Sequence, residues 1–105
     1  MANRVLRRYW LDPLTRKGKQ SIFIPKGAEL LSVQCEESDI YIHAIVDLDA
    51  EKKDKYFFQI YQVSYPNTYE RLRHDETYKF LGTATEYHLS SSGNMIWHVF
   101  YKKVE

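Results

Sequence analysis

The stretch Ala28-Glu29-Leu30-Leu31-Ser32-Val33-Gln34-Cys35-Glu36-Glu37-Ser38-Asp39-Ile40-Tyr41-Ile42-His43-Ala44-Ile45-Val46-Asp47-Leu48 decides the reading of the fold. Successive side chains of a strand point to opposite sides, so a hairpin must bring the apolar sets of both arms to one face. With Glu37-Ser38 as a two-residue loop, Cys35 faces Ile40, Val33 faces Ile42 and Leu31 faces Ala44. The apolar sets then coincide. Ser32 falls across from His43 and Gln34 across from Tyr41, the pattern of a half-solvated antiparallel pair. The expected core face is Leu31, Val33, Ile42, Ala44 and Val46, with Ser32, Tyr41 and His43 on the other side. Cys35 is read as a small hydrophobe of the same apolar face. Glu-Ser is a weaker turn pair than Asn-Gly.

Outward from this hairpin the same signature recurs. Aromatic residues make up 15% of the 105-residue chain, nine of them tyrosines, in short runs with β-branched residues. Such runs favour strands. Seven can be read: Arg4 to Trp10, Ser21 to Ile24, Ala28 to Cys35, Ile40 to Leu48, Tyr56 to Val63, Tyr78 to Thr85 and Met95 to Tyr101. Asp12-Pro13, Gly18, Pro25-Lys26-Gly27, Pro66 and the Gly-containing link Ser90 to Asn94 punctuate them. The charged connection Asp49 to Asp54 allows Val46 to pair with Phe58 and Ala44 with Ile60, and a shift of one residue would turn Phe57 inward instead. Asn67 to Glu76 is the helix candidate, with Tyr69, Leu72 and Arg73 at spacings three and four, at a length marginal for a helix. Gly82-Thr83, inside the sixth run, reads as a bulge or a close backbone approach. The chain is expected to be mostly β, a single small antiparallel sandwich or twisted meander of about seven strands spanning 1–105, since 44% hydrophobic content supplies one core and not two.

Composition excludes several classes. The longest apolar runs fall far below the ~18 residues of a membrane span, and the N-terminal residues lack a signal-peptide apolar run. The single cysteine, Cys35, excludes an internal disulfide framework and a multi-cysteine zinc site, and fits a reducing cytosol. Net charge of +1 argues against dedicated duplex DNA binding. Charge is nevertheless segregated: residues 1–27 carry +6, residues 28–54 carry −6 and the remainder +1. Two readings compete, opposite charges paired between adjacent strands and a basic face presented to an anionic partner.

No catalytic constellation emerges. No two of the four histidines are two or four residues apart, and no His-Glu-x-x-His pattern occurs, so no metal site is expected. His98 reads as a strand histidine with a satisfied hydrogen bond. Ser90-Ser91-Ser92-Gly93 lacks the strand-to-helix context of a nucleophilic serine. The acidic pairs Glu36-Glu37 and Asp75-Glu76 read as solvated turn residues. Binding has better support, because basic residues interleave with aromatics at Arg7-Arg8-Tyr9-Trp10, Tyr69-Glu70-Arg71 and Tyr101-Lys102-Lys103, a composition able to stack a base and neutralise a phosphate.

Several stretches then resemble a family of small proteins common in bacteriophage genomes. The resemblance is carried by Ile24-Pro25-Lys26-Gly27-Ala28-Glu29-Leu30-Leu31-Ser32-Val33-Gln34, by Ala44-Ile45-Val46-Asp47, by Phe58-Gln59-Ile60-Tyr61, by Phe80-Leu81-Gly82-Thr83 and by Trp97-His98-Val99-Phe100. It covers most of the chain from residue 20 onward, and the Pro-Lys-Gly-Ala-x-Leu-Leu-Ser-Val and His-Val-Phe segments are its more specific parts. Where relatives have a Gly-Thr-Gly-His-like turn, this chain has Gln62-Val63-Ser64-Tyr65-Pro66, and the insertion Asn67 to Glu76 looks longer than usual. The resemblance implies a viral origin and no particular reaction.

The resulting expectation is a non-enzymatic phage accessory protein of the host bacterial cytoplasm, needing no cofactor, that binds and inhibits a host protein concerned with defence. An oligomeric sponge for an anionic, nucleotide-derived signal is the alternative, and a minor virion part a third. The expected binding residues are Arg7, Arg8, Tyr65, Tyr69, Arg71 and Arg73, from the N-terminal run and the polar insertion. Replacing Arg71 and Arg73 by Glu is expected to abolish binding and leave the melting temperature nearly unchanged.

Overall fold

A computed structural model describes residues 3–12, 20–37, 39–63, 71–86 and 95–104. All seven runs form strands: β1 (Arg4–Leu11), β2 (Gln20–Pro25), β3 (Glu29–Glu36), β4 (Asp39–Asp47), β5 (Lys53–Gln62), β6 (Lys79–Glu86) and β7 (Met95–Lys103). Every pairing is antiparallel, in a three-stranded sheet of order β1-β4-β3 and a four-stranded sheet of order β2-β5-β7-β6. Here they are called sheet A and sheet B.

Alternation builds the core between them. Leu11, Val33, Ile40, Ile42, Ala44 and Val46 from sheet A meet Ile24, Tyr56, Phe58, Ile60, Ala84, Trp97 and Val99 from sheet B in one buried cluster. β4 alternates strictly, its even-numbered residues Ile40 to Val46 buried and its odd-numbered ones half-buried, as the central strand of a sheet with one face on the core must.

The β3–β4 hairpin has the expected pairs Cys35 with Ile40 and Val33 with Ile42, but its far end differs. The register shifts between Leu30 and Ser32, so Leu30 and not Leu31 lies opposite Ala44. A bulge inserts one residue and turns the following side chains over. Leu30 therefore packs against the core while Leu31 is 43% exposed, which corrects the expected core face. The turn itself places Glu37 at φ 50°, the left-handed region that penalises a residue with a Cβ. Asn tolerates that conformation better, so Glu37→Asn is expected to raise stability by up to ~1 kcal/mol. A higher midpoint with unchanged slope in urea unfolding is the check.

A second correction concerns β4 and β5, which do not pair. β4 lies between β1 and β3, whereas β5 lies between β2 and β7. Val46 and Phe58 belong to the same buried cluster as members of opposing sheets. The five-residue connection 48–52 lets the chain change layers instead of folding back beside itself.

β3 and β6, each an edge of its own sheet, lie against one another and join the two layers along one side. Gly82 lies at this contact, where a Cβ would stand at an ordinary 3.5 Å from Val33 Cγ2, and the β6 register shifts between Phe80 and Gly82. Of the two readings of Gly82-Thr83, a bulge or a close backbone approach, the bulge is the one present, since the packing would admit a Cβ. On the other side, the Gln20 side chain clamps the end of β1, accepting from Asp12 N–H at 2.8 Å and donating to Asp12 C=O at 2.7 Å.

The described part of the helix candidate, residues 71–76, is not helical, and residues 67–70 lie outside the described residues. Asp75 explains part of this, since its carboxylate accepts from the Thr77 N–H at 2.8 Å and from the Thr77 hydroxyl. That local bond competes with helix formation.

Tyr9, Tyr56 and Tyr78 are wholly or partly buried, and burial, first among the causes, raises each phenol pKa above its ordinary 10.0. The folded state thus holds these protons more tightly than the unfolded chain. The associated stability is complete below the unfolded value and is lost as pH rises through the folded ones. The melting temperature is expected to fall from about pH 10 upward, and less steeply in Tyr56→Phe.

Candidate functional site

The outward face of sheet A gathers the N-terminal half of the expected site. Arg4, Leu6, Arg8 and Trp10 alternate onto it from β1, opposite Asp47, Ile45, His43 and Tyr41 of β4. The Arg8 guanidinium donates to Glu36 Oε2 at 2.7 Å across the intervening strand, and lies 4.3 Å from the Tyr41 ring centroid. Glu36 raises the Arg8 pKa further above its already high value, and His43 Nε2 stands 4.0 Å from the same carboxylate oxygen. Trp10 Nε1–H donates to Asp39 Oδ1 at 3.2 Å, and Arg4 pairs with Glu29 at 3.7 Å. The segregated charges are therefore joined, at Arg4 and Arg8, between strands of one sheet. Arg7 points to the other side of β1, its guanidinium 5.1 Å from the Tyr9 ring.

Arg71 and Arg73 belong to the other layer. Residues 71–78 strap the outward face of sheet B, where the Tyr61 hydroxyl accepts from Arg73 N–H at 2.7 Å and His74 N–H at 3.2 Å. With two donors already received, the Tyr61 O–H is the proton that bridges to His74 Nδ1 at 2.7 Å, so Nδ1 is an acceptor and the ring carries its proton on Nε2. The His74 ring stacks on Phe100 at 4.3 Å between centroids. The Arg73 guanidinium donates to Ile60 C=O at 2.9 Å and covers the Tyr61 ring at 4.5 Å.

The expected site residues are consequently not one cluster. Arg8 and Arg73 sit on opposite outer faces of the sandwich, Arg71 is exposed at the start of the strap, and Tyr65 and Tyr69 lie outside the described residues. The Arg73 guanidinium also bonds the Ile60 carbonyl, so replacing it by Glu is expected to lower the melting temperature as well.

Two features were not among the expected residues. An apolar cleft of about 210 Å3 runs beside the strap between Tyr61, Leu72, Phe80, His98 and Phe100. His98 Nδ1 and Thr83 Oγ1 lie 2.8 Å apart, which satisfies that strand histidine. A larger cleft of about 650 Å3 lies at the end of sheet B, lined by Lys79, Lys102 and Lys103 together with Phe57 and Tyr101. Its signal in sequence was Tyr101-Lys102-Lys103. Lys79 had none, because only the β6–β7 register sets it opposite Tyr101.

Among the described residues no group of three His, Cys, Asp or Glu side chains is placed to hold a metal ion, and no helix is long and apolar enough to cross a membrane. Cys35 is half-buried against the core, its thiol 3.6 Å from Glu86 Oε2.

These features define a small two-sheet β protein with aromatic and cationic side chains on both outer faces. The chain belongs to the family described as Domain of unknown function (DUF7352), which matches residues 2–105. No significant match was found among curated proteins or among solved structures.

Proposed function

We propose that this chain is a phage accessory protein that acts without catalysis, by binding and inhibiting a host protein through the outward face of sheet A. The observation that carries this reading is the cluster of Trp10 and Arg8 on edge strand β1 with Tyr41 of neighbouring β4. Trp, Tyr and Arg dominate the energetics of protein interfaces because each offers a large contact area with a polar tip. Here the three are held before any partner arrives: Arg8 by Glu36 and Tyr41, Trp10 by Asp39. Less side-chain entropy is then lost on binding. Leu6, 73% exposed, and Trp10, 52% exposed, flank the cluster with apolar surface, and half-buried Ile45 lies opposite Leu6. The open edge of β1 adds backbone groups to which an extended segment can pair.

The test is capture from a bacterial lysate with wild-type protein and with Trp10→Ala, the folding of both verified by circular dichroism. Host protein retained by the wild type and lost from the variant supports the reading. Equal capture by both would place the surface elsewhere, and a small ligand found by native mass spectrometry in place of a protein would favour the sponge.

A further inference from the structure

We infer that the lysine-lined cleft at the end of sheet B is a binding site for a free nucleotide, an aromatic base carrying a phosphate. Strand lengths create it. β6 begins at Lys79 opposite Tyr101, while β7 runs on to Lys103, so among the described residues the last ones of β7 have no strand partner on that side. On its other side the β5 pairing continues, with Val104 N–H donating to Lys55 C=O at 2.8 Å. Donors alternate along a strand, so the Lys103 N–H turns the opposite way, into the notch that β6 leaves.

Three lysines border this notch, Lys79 and Lys103 from the core side of the sheet and Lys102 from its outward side. Lys79, Lys102 and Lys103 line it, and among the described residues none of them has a carboxylate at ion-pair distance. This contrasts with Arg4 and Arg8 of sheet A, whose charges are already answered by Glu29 and Glu36. Unanswered like charges around a concavity repel one another and favour an anion there. A phosphate held by lysines and a strand N–H meets that requirement.

The walls select what the phosphate is attached to. Tyr101 lines the cleft from the core side of the sheet and Phe57 from its outward side, and a base has a π-face to lay against an aromatic ring. At about 650 Å3 the cleft has the size of a single small-molecule site. A track for a long polyanion is not indicated by a chain of net charge +1. The site lies on the layer opposite the Trp10 cluster and stands whether or not that face binds a protein.

The experiment is isothermal titration calorimetry of the full chain with AMP, adenosine, inorganic phosphate and an eight-residue oligothymidylate as separate titrants. AMP is expected to bind one per chain, more tightly than adenosine or phosphate, and less tightly as salt rises. Lys79→Ala combined with Lys103→Ala should weaken AMP binding by about tenfold or more while melting with the wild type. Lys102→Ala serves as a second, milder lesion should the double variant be unstable, and Trp10→Ala should bind AMP as the wild type does. No AMP binding at millimolar concentration, undiminished binding by the lysine variants, phosphate binding as tight as AMP, or binding of the oligonucleotide alone would each overturn the assignment.

Discussion

Phe58→Ala is expected to cost about 3–5 kcal/mol of folding stability, enough to unfold much of a chain this size at 37 °C. Phe58 is fully buried, pairs with Gln20 on one side and Tyr101 on the other, and stacks on Tyr56 at 6.3 Å between ring centroids. Truncation removes the transfer energy of a phenyl ring and leaves a cavity that two sheets cannot close without sliding. Its neighbour is the control. Phe57 faces outward, half-buried beside Lys102, and Phe57→Ala should cost about 1 kcal/mol or less. Urea unfolding of the two variants reads the difference, and equal losses would mean that β5 sits one residue out of register.

Tyr61→Phe is expected to cost about 1–3 kcal/mol, although it deletes a single oxygen. That oxygen receives the Arg73 and His74 N–H groups and bridges to His74 Nδ1, so its loss strands two backbone donors and an imidazole nitrogen under the strap. The ring remains and still packs edge-on against Phe100. Core strands should therefore persist while residues 71–78 loosen. Amide hydrogen exchange separates the two effects: Arg73 and His74 should lose protection selectively, with Ile42 and Val99 following only the global change. Uniform loss of protection would show that the strap is not a separate unit.

The strap also explains why periodicity misled at Asn67 to Glu76. Spacings of three and four at Tyr69, Leu72 and Arg73 fit a helix, but helix formation would take the Arg73 and His74 N–H groups for carbonyls four residues earlier. Instead those donors go to a tyrosine twelve and thirteen residues away. A long-range acceptor of that kind leaves no local mark.

Candidate-site residues divide the same way. The pairing of Arg8 with Glu36 was implicit in the opposed charges of the first two segments, and Tyr101-Lys102-Lys103 advertised a basic, aromatic strand end. Yet Arg7, Arg8, Arg71 and Arg73 could not be sorted by composition. Strand parity turns Arg7 and Arg8 to opposite sides, and layer assignment sends Arg8 and Arg73 to opposite faces.

Seven strands, the β3–β4 hairpin with its Val33–Ile42 and Cys35–Ile40 pairs, and the bulge beside Gly82 were determined by the amino-acid sequence alone. These depend on alternation, turn chemistry and the poor fit of glycine to a strand interior, all of which are local. Tertiary structure decided the rest: that β4 and β5 part company into different sheets, that a bulge exchanges Leu31 for Leu30 in the core, and that β6 stops short of the end of β7 to open a cleft among three lysines. Each of these follows from which edges meet when two sheets bury a common core, a choice made by the packing of all the strands together.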